Sequence, residues 1–233
     1  MEVSKKIRTL FTGLCVILLY FVWPYFCSYV LSFLNIDKNL KLFLNLILNF
    51  ICLASIIFIY VNDLKKDYKK FIKNFKSYMK KGLKYFIIGL FCYGIVNIII
   101  ASVFDFSNIS NDNLTTLENV FSDNLFMLFL ATVFYYPVVE ELVFKNTIKD
   151  IIDNKWLFVF ISAFANAFFA YAFSVANALS LIYIIPSTLF YMGLSYGYYA
   201  TDNIMVPITY RIIYNLIPNI ALLIETMLII KFI

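Results

Sequence analysis

Long apolar stretches recur along this chain, and they restrict its fold more than any other feature of the sequence. A helix needs roughly 20 apolar residues to cross a bilayer, and the chain supplies about seven such stretches. Because 63% of the residues are hydrophobic and the mean hydropathy is +0.84, an ordinary soluble domain is excluded. The sequence therefore predicts an all-α bundle of about seven transmembrane helices, at Leu10–Leu34, Leu40–Asn62, Leu83–Phe104, Asn124–Phe144, Trp156–Ala176, Ser180–Ala200 and Met205–Ile230.

The connections between these stretches are short and mostly polar, so residues 1–233 are predicted to form a single membrane domain. At the N-terminus, Lys5, Lys6 and Arg8 precede an apolar run of about 25 residues, which is longer than the apolar core of a signal peptide. No small-residue cleavage site follows the run. We therefore expect it to be retained as the first span.

The lysines and arginines predict the orientation of the bundle. The segment Lys65–Lys84 carries nine lysines and one acid, whereas the loop Asp105–Asp123 carries four acids and no lysine or arginine. Because basic segments stay on the cytoplasmic side, the N-terminus and the lysine-rich segment should be cytoplasmic and the acidic loop external. The chain is thus predicted to be a multi-pass protein of the cell membrane.

Residues 64–83 are predicted to form an amphipathic helix on the membrane surface. Their apolar residues recur at steps of three and four, which places them on one helix face opposite the lysines. Such a helix lies in the interface with its ammonium groups among anionic headgroups. Docking of an acidic partner or of nucleic acid is the alternative. Because the segment is tethered to the bilayer at both ends, we favour the membrane surface and expect no nucleic-acid partner.

A small set of ionisable residues falls inside the predicted spans. Charge is costly there unless it is paired or faces a wet cavity, so these residues are candidates for function. Arg211, Asn215 and Asn219 share one helix face, and Glu141 and Lys145 have the spacing of an ion pair on a helix surface. The predicted orientation puts Glu140, Glu141 and Arg211 in the cytoplasmic half, so a shared cavity opening to the cytoplasm is geometrically possible, whereas Glu225 lies near the far interface. The set is Glu140, Glu141, Lys145, Arg211 and Glu225.

Two further spans carry patterns typical of helix packing. The fifth span has a polar stripe at Ser162, Asn166 and Ser174, with Ala170 at the remaining place in that spacing. The amide side chains of Asn166 in this span and of Asn215 and Asn219 in the last span either belong to the site or form hydrogen bonds between helices. The sixth span contains Gly193-Leu-Ser-Tyr-Gly197, a small-residue face that allows a neighbouring helix to approach closely.

The chain contains no histidine, and its four cysteines lie within apolar spans without a CxxC spacing. Histidine is the commonest metal ligand and the usual proton carrier near neutral pH. Two carboxylates and an asparagine make a poor zinc site without imidazole or thiolate. The sequence therefore predicts neither a metal nor another cofactor.

The string Val-Val-Glu-Glu-Leu-Val-Phe-Lys, which ends at Lys145, resembles the first motif of the CPBP family, E-E-x-x-x-R. This family, also called the Abi or CAAX-protease family, comprises intramembrane endopeptidases and bacteriocin-immunity proteins. Val206-Pro-Ile followed by Arg211-Ile-Ile-Tyr-Asn215 is similar to its last motif, H-x-x-x-N. The resemblance covers residues 124–219. It implies that Glu140 is a general base beside Glu141 and that Asn215 donates to an oxyanion.

The chain departs from the family pattern wherever the family has histidine. Arg211 replaces one, and Phe169 or Ala170 occupies the position of the other in the middle motif F-x-x-x-H. A guanidinium stays charged and grips carboxylates, so Arg211 either neutralises Glu140 or holds a substrate carbonyl. We favour the first role for Arg211.

Three functions are compatible with these observations. The first is a non-catalytic or weakly catalytic protein that binds a membrane or cell-envelope partner, as in bacteriocin immunity. The second is a glutamate-dependent endopeptidase that cleaves peptides or the C-termini of small membrane proteins, using Glu140, Glu141, Arg211 and Asn215. The third is a small transporter or channel, although the sequence shows no internal repeat.

Overall fold

The computed structural model describes residues 2–103, 125–172 and 178–232, and this part of the chain is helical, with no strand among the described residues. The acidic loop that was predicted to be external, and Ser174, lie outside the described residues. The same holds for the side chain of Glu225. The helices are α1 (Glu2–Ser32), α2 (Lys38–Ile59), α3 (Val61–Lys73), α4 (Phe75–Val103), α5 (Leu125–Ile151), α6 (Lys155–Ala172), α7 (Ile184–Thr201) and α8 (Met205–Phe232), with a 3₁₀ turn at Ala178–Tyr183.

Several of these helices are long and apolar enough to cross a membrane. Within the described residues, four meet both criteria, at Thr9–Ser32, Lys38–Ile59, Phe75–Val103 and Leu125–Ile151, and Lys155–Tyr171 is a shorter apolar helix. Many of their large apolar side chains point outward, as a lipid-facing surface requires. The chain is therefore an all-helical, multi-pass protein in a bilayer, while the number of seven spans stays a prediction.

Helix ends follow local side-chain chemistry. The Asp37 carboxylate accepts from Leu40 N at 3.0 Å and caps α2, and Asn154 Oδ1 caps α6 in the same way at Trp156 N and Leu157 N. Asp202 ends α7 in the left-handed conformation, with φ of 47°. These caps fix the tight turns that join α1 to α2 and α7 to α8.

The amphipathic segment is divided at Asn74 rather than continuous over residues 64–83. Asn74 ends α3, and the remaining lysine-rich residues form the first turns of the spanning helix α4. On α3, Phe71 is buried while Tyr68 and Ile72 are exposed beside the lysines. Asp67 anchors α3 to the turn between α7 and α8, since its carboxylate accepts from Ile204 N at 3.0 Å.

Helix α7 lies at the centre of the bundle, against α4 and α6. Gly193 makes the close approach to α4 feasible, because a Cβ at this position would lie 2.6 Å from Tyr85 O. On the opposite side, Ser162 of α6 donates to Ser195 of α7 at 2.8 Å. The small and polar residues of α6 and α7 thus bring three helices together and leave α5 and α8 to form the charged centre.

Candidate functional site

Helix α5 carries both carboxylates, and its backbone changes geometry on either side of them. Leu130–Tyr135 and Leu142–Asn146 are π-helical, and the α-helical turn Tyr136–Glu141 lies between them. In a π turn each N–H bonds the carbonyl five residues earlier, as Tyr136 N does with Ala131 O. Turns of this kind are frequent at functional sites.

The first π turn explains the position of Asn215. The residue after Tyr136 is Pro137, which has no N–H, so this register leaves the Thr132 carbonyl without a backbone donor. Asn215 Nδ2 on α8 donates to that carbonyl at 2.7 Å. One of the two amide hydrogens of Asn215 therefore ties α8 to α5, and only the other remains for an oxyanion.

Glu140 and Glu141 are both buried, but they face different surroundings. Glu141 has no exposed surface, whereas Glu140 keeps 8% of its surface and lines a large cavity. The Tyr20 hydroxyl of α1 lies 3.4 Å from Glu140 Oε1, which is a weak contact. Of the two carboxylates, Glu140 is the one that a bound molecule would meet.

Arg211 reaches from α8 to both carboxylates. Its Nη2 forms an ion pair with Glu140 Oε2, and its Nη1 lies 3.2 Å from Glu141 Oε1. Nη1 also donates to Asn166 Oδ1 at 3.2 Å, and Nη2 donates to the Tyr191 hydroxyl at 3.0 Å. One guanidinium thus joins α8 to α5, α6 and α7, and it contacts both glutamates.

Lys145 completes the neutralisation of Glu141. Its Nζ lies 2.7 Å from each carboxylate oxygen, with the better hydrogen-bond geometry to Oε1, and its side chain has no exposed surface. The interpretation of Glu141 and Lys145 as a pair on the helix surface is therefore wrong, because the second π turn lies in the interior of the bundle. Two cations and two carboxylates form this cluster, and their charges balance.

Aromatic and amide groups enclose the cluster. The Tyr191 ring lies 4.7 Å from Arg211 Cζ and 5.4 Å from Lys145 Nζ, so both cations face its π surface. Asn166 is fully buried, and its Nδ2 has no hydrogen-bond partner among the described residues. Asn166, which the sequence left between packing and the site, is part of the site.

A cavity of about 1090 Å³ extends from this cluster. Its deep end is lined by Tyr20, Tyr136, Glu140, Arg211 and Asn215. Phe169 and Ala170, the two candidates for the family's missing histidine, line the wall beside them, and Phe169 stacks on Phe144 at 5.5 Å. At these two positions the wall of the cavity is formed by a phenyl ring and a methyl group.

The cavity opens away from the lysine-rich segment. Its outer part is lined by Ser32, Ile36 and Lys38 at the turn between α1 and α2, whereas α3 lies at the other end of α2. The lining of the cavity therefore extends toward the end of α2 that is remote from the basic segment. At the end next to α3, Asp67, Asn146 and Tyr198 line a separate, smaller pocket of about 270 Å³, in which Tyr198 OH donates a hydrogen bond to Asn146 Oδ1 at 2.9 Å.

Sequence reasoning missed two tyrosines of the site. Tyr191 sits in an apolar stretch with two glycines nearby, and only its position one helical turn before Ser195 hints that it faces inward. Tyr20 lies in the first span, outside the segment that resembles the family, and no signal in the sequence marks it. Among the described residues, no group of His, Cys, Asp and Glu side chains could hold a metal ion.

Comparison with known proteins supports the resemblance that the motifs suggest. The model of the family described as type II CAAX prenyl endopeptidase Rce1-like matches residues 122–217, which include Glu140, Glu141, Arg211 and Asn215. No curated protein and no solved structure matches the chain. Residues 122–217 therefore match the CPBP, or CAAX-protease, family, as the motifs suggest.

Proposed function

We propose that this protein acts by binding, as a member of the CAAX-protease family whose carboxylates no longer catalyse hydrolysis. The observation that carries the proposal is the contact of Arg211 with both Glu140 and Glu141. A general base needs a free lone pair to take a proton from water, and the Arg211 guanidinium already occupies one carboxylate oxygen of each glutamate. Without histidine, no other side chain of the site carries protons near neutral pH.

The environment of the cluster also favours a structural role for its charges. The guanidinium and the ammonium balance the two carboxylates inside a buried site, so removing one partner leaves an uncompensated charge. The cluster joins four helices and forms the floor of the cavity. We infer that the cluster holds the cavity open and neutral, while the walls above it recognise the ligand.

The biological setting of this binding follows from the family and the membrane. We propose a location in the cell membrane with the N-terminus in the cytoplasm, and a role such as bacteriocin immunity or regulation of a cell-envelope protein. The ligand that supports this role would occupy the cavity. Because Ala170 lines the deep wall and Ile47 of α2 faces outward, these positions can report insertion.

A photo-crosslinking amino acid at Ala170 should capture the ligand in membranes, whereas the same group at Ile47 should capture bulk lipid. Equal crosslinks at the two positions would contradict a ligand in the cavity. As a competition control, wild-type membranes that carry an excess of the natural ligand should reduce the crosslink at Ala170 and leave the crosslink at Ile47 unchanged.

One observation favours an endopeptidase as the second candidate. Glu140 faces the cavity, its Oε1 has only the weak contact with Tyr20, and Asn215 retains one amide hydrogen. In this function Arg211 would hold the substrate carbonyl, and Glu140 would activate water.

The two functions differ in whether peptide termini change. We would compare termini in membranes of cells that carry the wild type, no protein, or the charge-balanced variant Glu140→Gln with Arg211→Gln, at matched expression. A binding protein should give the same termini in all three. Termini that appear with the wild type and vanish with the variant would overturn the proposal and assign the endopeptidase.

A further inference from the structure

The outer half of the cavity presents a row of polar side chains on α2. Lys38, Lys41, Asn45 and Asn49 follow one another at steps of three and four, so they share one helix face, and all four line the cavity. Their side chains make no hydrogen bond or ion pair with the rest of the described chain. The row extends about 16 Å along α2, from the turn toward the ion-pair cluster.

The mouth of the cavity is its positively charged end. Lys38 and Lys41 lie there, and Asp37 is the sole carboxylate of the adjoining turn, residues 33–37. The Asp37 carboxylate is already used, since it caps α2 at Leu40 N. Because the deep cluster balances its own charges, the mouth is the part of the cavity that attracts an anion.

The mouth also lies at a defined depth in the bilayer. Two candidate spans end there, α1 at Ser32 and α2 at Lys38, so the turn between them is at the level of the lipid headgroups. Opposite the polar row, α1 offers the apolar side chains Phe21, Pro24 and Leu31. The volume of about 1090 Å³ exceeds the roughly 300–1,000 Å³ of ordinary small-molecule sites.

We propose that this cavity binds one anionic phospholipid. Its phosphate lies between Lys38 and Lys41, its glycerol and ester oxygens accept from the Asn45 and Asn49 amides, and one acyl chain lies along the apolar wall of α1. The inference rests on the proposed function in one respect, that the cavity binds its occupant without cleaving it. A phosphate bound in this way would satisfy side chains that otherwise have no partner.

The test measures lipid retention by native mass spectrometry of the full chain purified in detergent. Phosphatidylglycerol and phosphatidylcholine with the same acyl chains are titrated separately. We expect one phosphatidylglycerol to be retained in preference to phosphatidylcholine. Lys38→Gln with Lys41→Gln should weaken that binding about 30-fold, since each basic side chain near an anionic lipid contributes roughly fivefold.

The matched control removes the same charge elsewhere. Lys76 and Lys80 are exposed on α4 and do not line the cavity, so Lys76→Gln with Lys80→Gln should change retention less than about twofold. Equal retention of the two lipids by the wild type, or equal losses in the two variants, would overturn the proposal. Glycerol phosphate alone, if it competed as well as the lipid, would show that the ligand is a free phosphate compound.

A photoreactive acyl chain locates the tail. Crosslinks of such a phosphatidylglycerol to Phe21 or Leu31 are expected, and crosslinks confined to outward residues such as Ile47 would place the lipid outside the cavity. Retention requires no reaction at Glu140. A lipid that binds while new peptide termini appear would therefore refute the proposed function and leave this inference standing.

Discussion

Replacing Arg211 by glutamine removes a guanidinium that makes four polar contacts. The change would leave Glu140 without its cation and would remove the contacts of Arg211 with Glu141, Asn166 and Tyr191. Removing one partner of a buried ion pair costs about 3–5 kcal/mol, because the other charge stays buried and uncompensated. Lys145 still neutralises Glu141, so we place the cost near the middle of this range, at about 4 kcal/mol.

The assay is reversible unfolding in mixed micelles, followed by circular dichroism, for a set of four chains. These are the wild type, Arg211→Gln, Glu140→Gln, and the double variant that carries both changes. Each single variant should lose several kcal/mol. The double variant should be at least as stable as either single variant, because two neutral amides replace the ion pair and no charge is left unpaired.

The stability of Arg211→Gln decides whether Arg211 is a structural partner of the carboxylates. If its free energy of unfolding lies within about 1 kcal/mol of the wild-type value, the guanidinium is not such a partner. Additive losses in the double variant would likewise deny coupling between Arg211 and Glu140. Arginine would then be available for a ligand, and the non-catalytic interpretation would lose its main support.

Three further predictions test other parts of the structure. Gly193→Ala should destabilise the protein by about 1–3 kcal/mol, because its Cβ would collide with the α4 backbone, whereas Gly94→Ala, with no atom within 4 Å, should be neutral or stabilising in the same unfolding assay. Asn215→Leu should cost about 1–3 kcal/mol by leaving a carbonyl of α5 unpaired, and adding Pro137→Ala should recover part of this, since it restores a backbone donor. Burial raises the pKa of Asp67, the carboxyl that docks α3, so the unfolded state loses its proton at a lower pH than the folded state. The stability of that docking should therefore fall as the pH rises from about 4 toward the folded-state pKa, and hydrogen exchange at the α7–α8 turn should show this dependence in the wild type and not in Asp67→Asn.

Apolar length and charge placement carry most of the information that sequence offers about this fold. The helices predicted at Leu10–Leu34 and Leu40–Asn62 agree to within a few residues with the spanning parts of α1 and α2. A run of such high hydropathy has few stable alternatives to a spanning helix. The pair Glu140–Glu141 is recognisable in the sequence as a candidate site, because charged side chains inside a span are costly and are usually retained for function.

The sequence does not reveal the hydrogen-bond register of α5 or the contacts between distant helices. The π turns beside Glu140 depend on which carbonyls neighbouring helices can satisfy, and the donor of Asn215 comes from another helix about 80 residues away. The division at Asn74 reflects docking of α3 through Asp67, which periodicity within one helix cannot reveal.

The replacement of histidine by arginine has consequences that reach beyond the loss of a proton carrier. An imidazole can both donate and accept a proton, whereas a guanidinium only donates hydrogen bonds and here occupies one carboxylate oxygen of each glutamate. Once Arg211 and Lys145 are in place, the cluster is electrostatically complete and binds no further charge. The cavity-lining polar side chains without a partner in the described chain are then found along α2, at Lys38, Lys41, Asn45 and Asn49, so selection for ligand binding should act there rather than on Glu140 and Glu141.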